Sequence, residues 1–259
     1  MYKLFKKSQI WFALLWIILY VVGSSVADGV SELLGVQKLF TLVFHLALSV
    51  IALLWLKKHG LCSAYGICKP RVGAKRFLYY LPLVLLASCN LWLGVSFEHS
   101  IAQTLLFVGS MLCVGFLEEL IFRGFLFVAM VQNGRRFAII VSSVTFGIGH
   151  IVNLFNGSGA ELLPTLMQIV GAVAFGFLFV VIFDRGGSLL PCIFTHSILN
   201  ALSIIGKDTE NVVVALVVSV VALGYTLVLN KTLPKEVVQS ANEVTAYAVN
   251  DVVQSTNEV

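Results

Sequence analysis

Charge is what this sequence lacks. Only 12% of its 259 residues are Asp, Glu, Lys or Arg, while 59% are apolar and the mean hydropathy is +0.96. A soluble domain carries about 25% charged residues, so this scarcity excludes an ordinary water-soluble globule and describes a polytopic membrane protein. The net charge of +4 is not gathered into a binding face, and no nucleic-acid partner is expected. Cysteine is present without its usual patterns: Cys62, Cys68, Cys89, Cys113 and Cys192 form no C-x-x-C pair. Neither a disulfide framework nor a cysteine-held metal is therefore expected. Also missing are H-E-x-x-H, G-x-S-x-G and a pair of aspartates within the apolar spans, which sets aside the familiar zincin, serine and aspartyl arrangements. A coupled transporter would spread acids through the bilayer depth and repeat its halves by symmetry. This sequence does neither.

What the sequence has is long apolar runs. About 20 apolar residues cross a bilayer, and on that measure the sequence predicts an all-α membrane protein of about eight transmembrane helices. They fall at 10–27, 39–56, 77–95, 101–122, 137–152, 164–183, 188–205 and 212–229. The first 29 residues have the basic start and apolar centre of a signal peptide, but the run is long enough to read as an uncleaved first helix. Basic residues set orientation. With the N-terminus in the cytoplasm, 15 of the 17 Lys and Arg fall on the cytoplasmic side, and only Lys38 and Lys207 fall outside. A multi-pass protein of the cell membrane with both termini cytoplasmic follows. The segment 124–136 is expected to lie along the cytoplasmic interface. The outer loops are short and carry Asp28, Glu32, Glu98, Glu161, Asp208 and Glu210.

Residues 1–235 read as one transmembrane domain. Residues 236–259 read as a polar cytoplasmic tail, disordered or weakly helical, in which VVQSANEV at 237–244 returns as VVQSTNEV at 252–259. The two copies form an imperfect 15-residue repeat.

Three polar clusters interrupt the apolar spans. The first is Glu118, Glu119 and Arg123. A charge in hydrocarbon costs roughly 2.5–3.5 kcal/mol on insertion scales, so a sequence keeps such groups where they face a protected interior. Adjacent helical residues point about 100° apart, and Glu119 with Arg123 is an i, i+4 acid-before-base pair, which leaves Glu118 on another face. The second cluster is Phe146-Gly147-Ile148-Gly149-His150, whose glycines suit close helix approach. The third is His196 and Asn200, one helical turn apart on one face. Taken singly, each reads equally well as structural hydrogen bonding. His45, Asn90 and Gln168 lack such companions and read as locally bonded, with His59 and His99 in loops.

Together the clusters suit hydrolysis. A carboxylate taken out of water becomes a workable general base near neutral pH. Glu118 with His150 could deprotonate a water, while His196 and Asn200 donate to the oxyanion of an attacked amide. Glu118, His150 and His196 could instead ligate a divalent metal such as zinc.

E-E-x-x-x-R at 118–123, F-x-x-x-H at 146–150 and H-x-x-x-N at 196–200 resemble the three motifs of the CPBP family. That family includes the type II CAAX prenyl endopeptidases and bacteriocin-processing and immunity proteins. The resemblance spans a motif core at about 101–205. It implies a buried polar site between helices 4, 5 and 7 and endoproteolysis of a membrane-associated, in some cases lipidated, peptide or protein. By motif position Glu118 corresponds to the water-activating glutamate, His150 to its partner, His196 and Asn200 to the oxyanion side, and Glu119 with Arg123 to a supporting pair. A non-catalytic immunity or scaffold protein of the same family is the alternative. The site is expected to open to the cytoplasm. One tension stands: a helix ending at 122 puts Glu118 near the cytoplasmic end, whereas His150 lies about 13 residues, or roughly 20 Å, into the next span.

Overall fold

The computed structural model describes residues 1–70, 80–155, 160–233, 237–239 and 243–244, and all of its regular structure is helical. A short amphipathic helix α1 (Tyr2–Lys7) precedes α2 (Gln9–Leu33), whose start is capped by Ser8. Helix α3 (Leu39–Lys58) returns antiparallel to it. After a loop come α4 (Leu81–Ala87) and α5 (Ile101–Glu118), the latter opened by a capping box in which Ser100 and Gln103 satisfy each other's backbone. The same helix runs on through a π-helical stretch, Glu119–Phe127, into α6 (Val128–Val131). Helices α7 (Arg135–Gly149), α8 (Leu162–Gly186), α9 (Leu190–Leu202) and α10 (Val212–Thr232) complete the bundle. Helix α8 packs between α7 and α10, and α5 packs between α3 and α9.

Among the described residues six helices are long and apolar enough to cross a membrane: Gln9–Leu33, Leu39–Lys58, Ile101–Val131, Arg135–Leu154, Leu162–Gly186 and Val212–Thr232. Two of the eight expected spans differ. The seventh is the shorter apolar run Leu190–Ile205. The third, 77–95, falls partly outside the described residues. Its described part holds only the seven-residue α4, led by a proline, and a single turn at Cys89–Leu91. The backbone of Leu189 donates to Gly66 O at one end of α9, and Val95 pairs with Gly206 at the other. Chain ends that flank the expected third span therefore sit at opposite ends of α9.

The segment 124–136 is a second correction. It does not lie along the interface as expected; its first eight residues continue the fourth span, and those at 124–129 are buried. Phe125 explains why. It is 1% exposed and sits edge-on to Phe12 and Tyr65 and beside Trp16, within an aromatic cluster that α1 and α2 complete. This extension also removes the depth tension. From Glu118 to Val131, and back from Arg135 to His150, the chain covers about 20 and about 22 Å at 1.5 Å per residue. Two antiparallel helices joined by a short turn thus bring the two residues to one level.

Small residues set the helix spacing where the motifs meet. A Cβ at Gly115 would overlap the backbone of Ser197, and one at Gly147 would meet Val173 and the backbone of α8, whereas Gly149 faces open space. Of the two glycines in the second motif, Gly147 alone marks a close approach.

The described part of the tail, Val237–Gln239 with Glu243 and Val244, lies against the bundle. Val237 N donates to Asp184 O, and Arg135 pairs with the Asp184 carboxylate and donates to Val238 O. Val238 and Val244 are buried. The second copy of the repeat lies outside the described residues.

Candidate functional site

The site is built around the junction where α5 widens into its π-helical stretch. Local π geometry is rare and concentrates at functional positions. Glu118 ends the α-helical part and Glu119 begins the wide part, and the two carboxylates diverge. Glu119 is fully buried and its Oε1 accepts from Arg123 Nη1 at 3.0 Å and from His196 Nδ1 at 2.8 Å. Ser142 of α7 donates to Phe122 O and ties the wide stretch to its neighbour.

Arg123 is fully buried, and its Nε and Nη2 have no hydrogen-bond partner among the described residues. Its guanidinium instead stacks over Phe146, 4.0 Å from the ring centroid, with Phe179 at 5.6 Å. Such cation–π contacts are strongest where water is excluded. The phenylalanine of the second motif thus has a physical task. The same ring stands edge-on to His150 at 5.3 Å and to His196 at 5.8 Å, so it fixes the spacing of both imidazoles.

Glu118 faces a cavity of about 540 Å³ that His150, His196 and Asn200 also line. Its side chain is 12% exposed, with Oε2 3.5 Å from His196 Nε2. His150 Nδ1 lies 3.1 Å from Phe146 O. A carbonyl only accepts, so Nδ1 carries the proton in this bond, and Nε2 of the neutral ring is an acceptor. The structure therefore brings the four expected site residues around one cavity and the supporting pair Glu119–Arg123 directly behind it.

Sequence inspection missed Tyr20. Its hydroxyl, on α2 and 98 positions away, donates to Glu118 Oε1 at 2.7 Å. Beyond it, His45 lies between Ser24 (2.9 Å) and Ser110 (3.2 Å), and Asp28 holds Lys38 at 2.8 Å and also Thr41. No spacing rule flags these residues, because each pairs across helices. Asn90 donates to Leu199 O, and Gln168 accepts from Asn153.

A divalent ion needs its donors gathered around one point. Among the described residues no three His, Cys, Asp or Glu side chains are so gathered, and both Glu118 oxygens already face protein groups. Glu118, His150 and His196 as placed do not fit a metal centre.

Comparison with known proteins agrees with the motifs. Residues 100–202 match the family described as type II CAAX prenyl endopeptidase Rce1-like. Over these residues the chain is similar to the CAAX protease family, and together with the spanning helices this supports a membrane protease. Comparisons with curated proteins and with solved structures gave no match.

Proposed function

We propose that the protein is a membrane-embedded endopeptidase in which Glu118 activates water for attack on a peptide bond. One observation carries this reading. Glu118 lies at the bottom of a cavity, held by Tyr20 on one side and faced by His196 on the other, with His150 and Asn200 in the same walls. Glu118 takes a proton from a water that the acceptor nitrogen of His150 orients, and the hydroxide attacks the carbonyl carbon. Asn200 faces the oxygen that gains charge, where a donor is worth several kcal/mol when water is excluded, and His196 supplies a second donor when Nε2 carries a proton as well as Nδ1. As the C–N bond breaks, Glu118 returns its proton to the leaving amine. Glu119, locked by Arg123, keeps His196 Nδ1 engaged and so aims Nε2 at the cavity. The substrate is a membrane-associated peptide or protein segment. The basic loops orient the chain in the cell membrane with both ends of the described bundle cytoplasmic.

The test is cleavage of a peptide library by purified protein. Glu118→Gln and Glu118→Ala are expected to lose all measurable cleavage while inserting and purifying normally, and full activity in either would sink the mechanism. Cleavage is expected to persist in chelator, and its loss with recovery on adding zinc would overturn the metal-free step. A wild-type protein that cleaves nothing would leave the immunity or scaffold role of the family.

A further inference from the structure

The cavity is closed at one end of the bundle and open at the other. Its floor is formed by Phe122, Phe146 and Phe179 beneath Glu118 and His196. All three phenylalanines are buried, and behind them the Glu119–Arg123 pair is fully so. Its rim is formed by Asp28, Lys38, Ala160, Thr209 and Glu210, of which Ala160, Thr209 and Glu210 are exposed. Asp28 lies near the end of α2, and the other rim residues come from the α2–α3, α7–α8 and α9–α10 connections. None of the described loops at the opposite end, 59–70, 132–134 and 187–189, reaches the cavity. That opposite end carries Lys57, Lys58, Arg135, Arg136, Arg185 and Lys231, and is the end that basic residues place in the cytoplasm.

We infer that substrates reach this site from the face of the membrane opposite the basic loops, as peptide segments exposed on the non-cytoplasmic side. This reverses the cytoplasmic opening expected from sequence, and it rests on the proteolytic reading only for the word substrate. The mouth matches such a ligand. A volume of about 540 Å³ lies within the roughly 300–1,000 Å³ of small-ligand pockets, so a short extended stretch enters while a folded domain does not. At the rim Lys38 is occupied by Asp28, leaving Glu210 to set the sign of the entrance. Segments bearing basic residues beside the scissile bond are favoured over acidic ones.

Thiol accessibility tests this without any assay of cleavage. In protein with its other native cysteines replaced by serine, three single-cysteine forms are compared: Met111→Cys in the cavity wall, Thr209→Cys at the rim, and Cys62 retained at the basic end. Intact cells are treated with a membrane-impermeant methanethiosulfonate. Modification of the Met111→Cys and Thr209→Cys forms in intact cells is expected, with Cys62 modified only after permeabilisation. Modification of the Met111→Cys form from the same side as Cys62 overturns the inference, as does its failure to react from either side. Labelling of Cys62 in intact cells with the Met111→Cys form protected overturns it too, because the chain is then inverted. A protein labelled as expected that cleaves no peptide loses only the protease reading.

Discussion

Glu118 and Glu119 are neighbours in sequence with opposite fates, and the difference is in what surrounds them. Glu119 has a guanidinium and an imidazole on one oxygen and no exposure, whereas Glu118 keeps an edge on the cavity. Removing one member of a buried ion pair costs about 3–5 kcal/mol, because its partner is left charged and unpaired. Arg123→Met is therefore expected to lower the unfolding midpoint in detergent sharply, and the double variant Glu119→Gln with Arg123→Met to recover part of the loss. An unchanged midpoint for Arg123→Met would remove the supporting role. Tyr20 acts through Glu118. A hydrogen bond to a charged group contributes about 1.5–3 kcal/mol, or roughly ten- to a hundredfold in rate. Tyr20→Phe is expected to lower kcat by that range with KM little changed. A change in KM alone would argue that Tyr20 only shapes the pocket.

At the scale of elements, the fourth span is where sequence and structure part most clearly. A run of about 20 apolar residues already suffices to span, so 101–122 followed by Arg123 and Gly124 reads as a finished helix even though 125–131 is apolar again. What continues the helix is burial of Phe125 in an aromatic cluster drawn from α1, α2 and the loop at Tyr65, and no local window contains that. The short α4 was hidden for the converse reason, since a 19-residue apolar stretch gives no sign of where its backbone turns. The three motifs were legible because their residues are costly in a membrane and recur at helical spacing. Tyr20 was not, as a lone tyrosine in an apolar run is ordinary. Crossing points are similarly visible only in three dimensions. Gly115→Val is expected to push α9 away from α5, displacing His196 from Glu118. Cleavage should fall together with the unfolding midpoint, and retention of both would show that the contact yields.

For the whole molecule, the three aromatic rings and the buried ion pair at the base of the site separate two aqueous worlds. A polar well that holds water from one face brings bulk solvent deep into the bilayer, and most of the transmembrane voltage then falls across the layer that remains. That layer consists of Phe122, Phe146 and Phe179, with Arg123 stacked over the last two. Moving a unit charge through the full potential is worth about 2.3 kcal/mol per 100 mV, so the plug has to be dry as well as thin. Phe146→Ala, which removes the ring under Arg123, is expected to let protons cross, measured as faster collapse of a pH gradient in proteoliposomes than with Glu118→Gln. Equal leak rates would show that the seal lies elsewhere. The chain thus has to be a good insulator in order to hold an open polar well, and its motif phenylalanine serves the cell's ion gradients as much as the site above it.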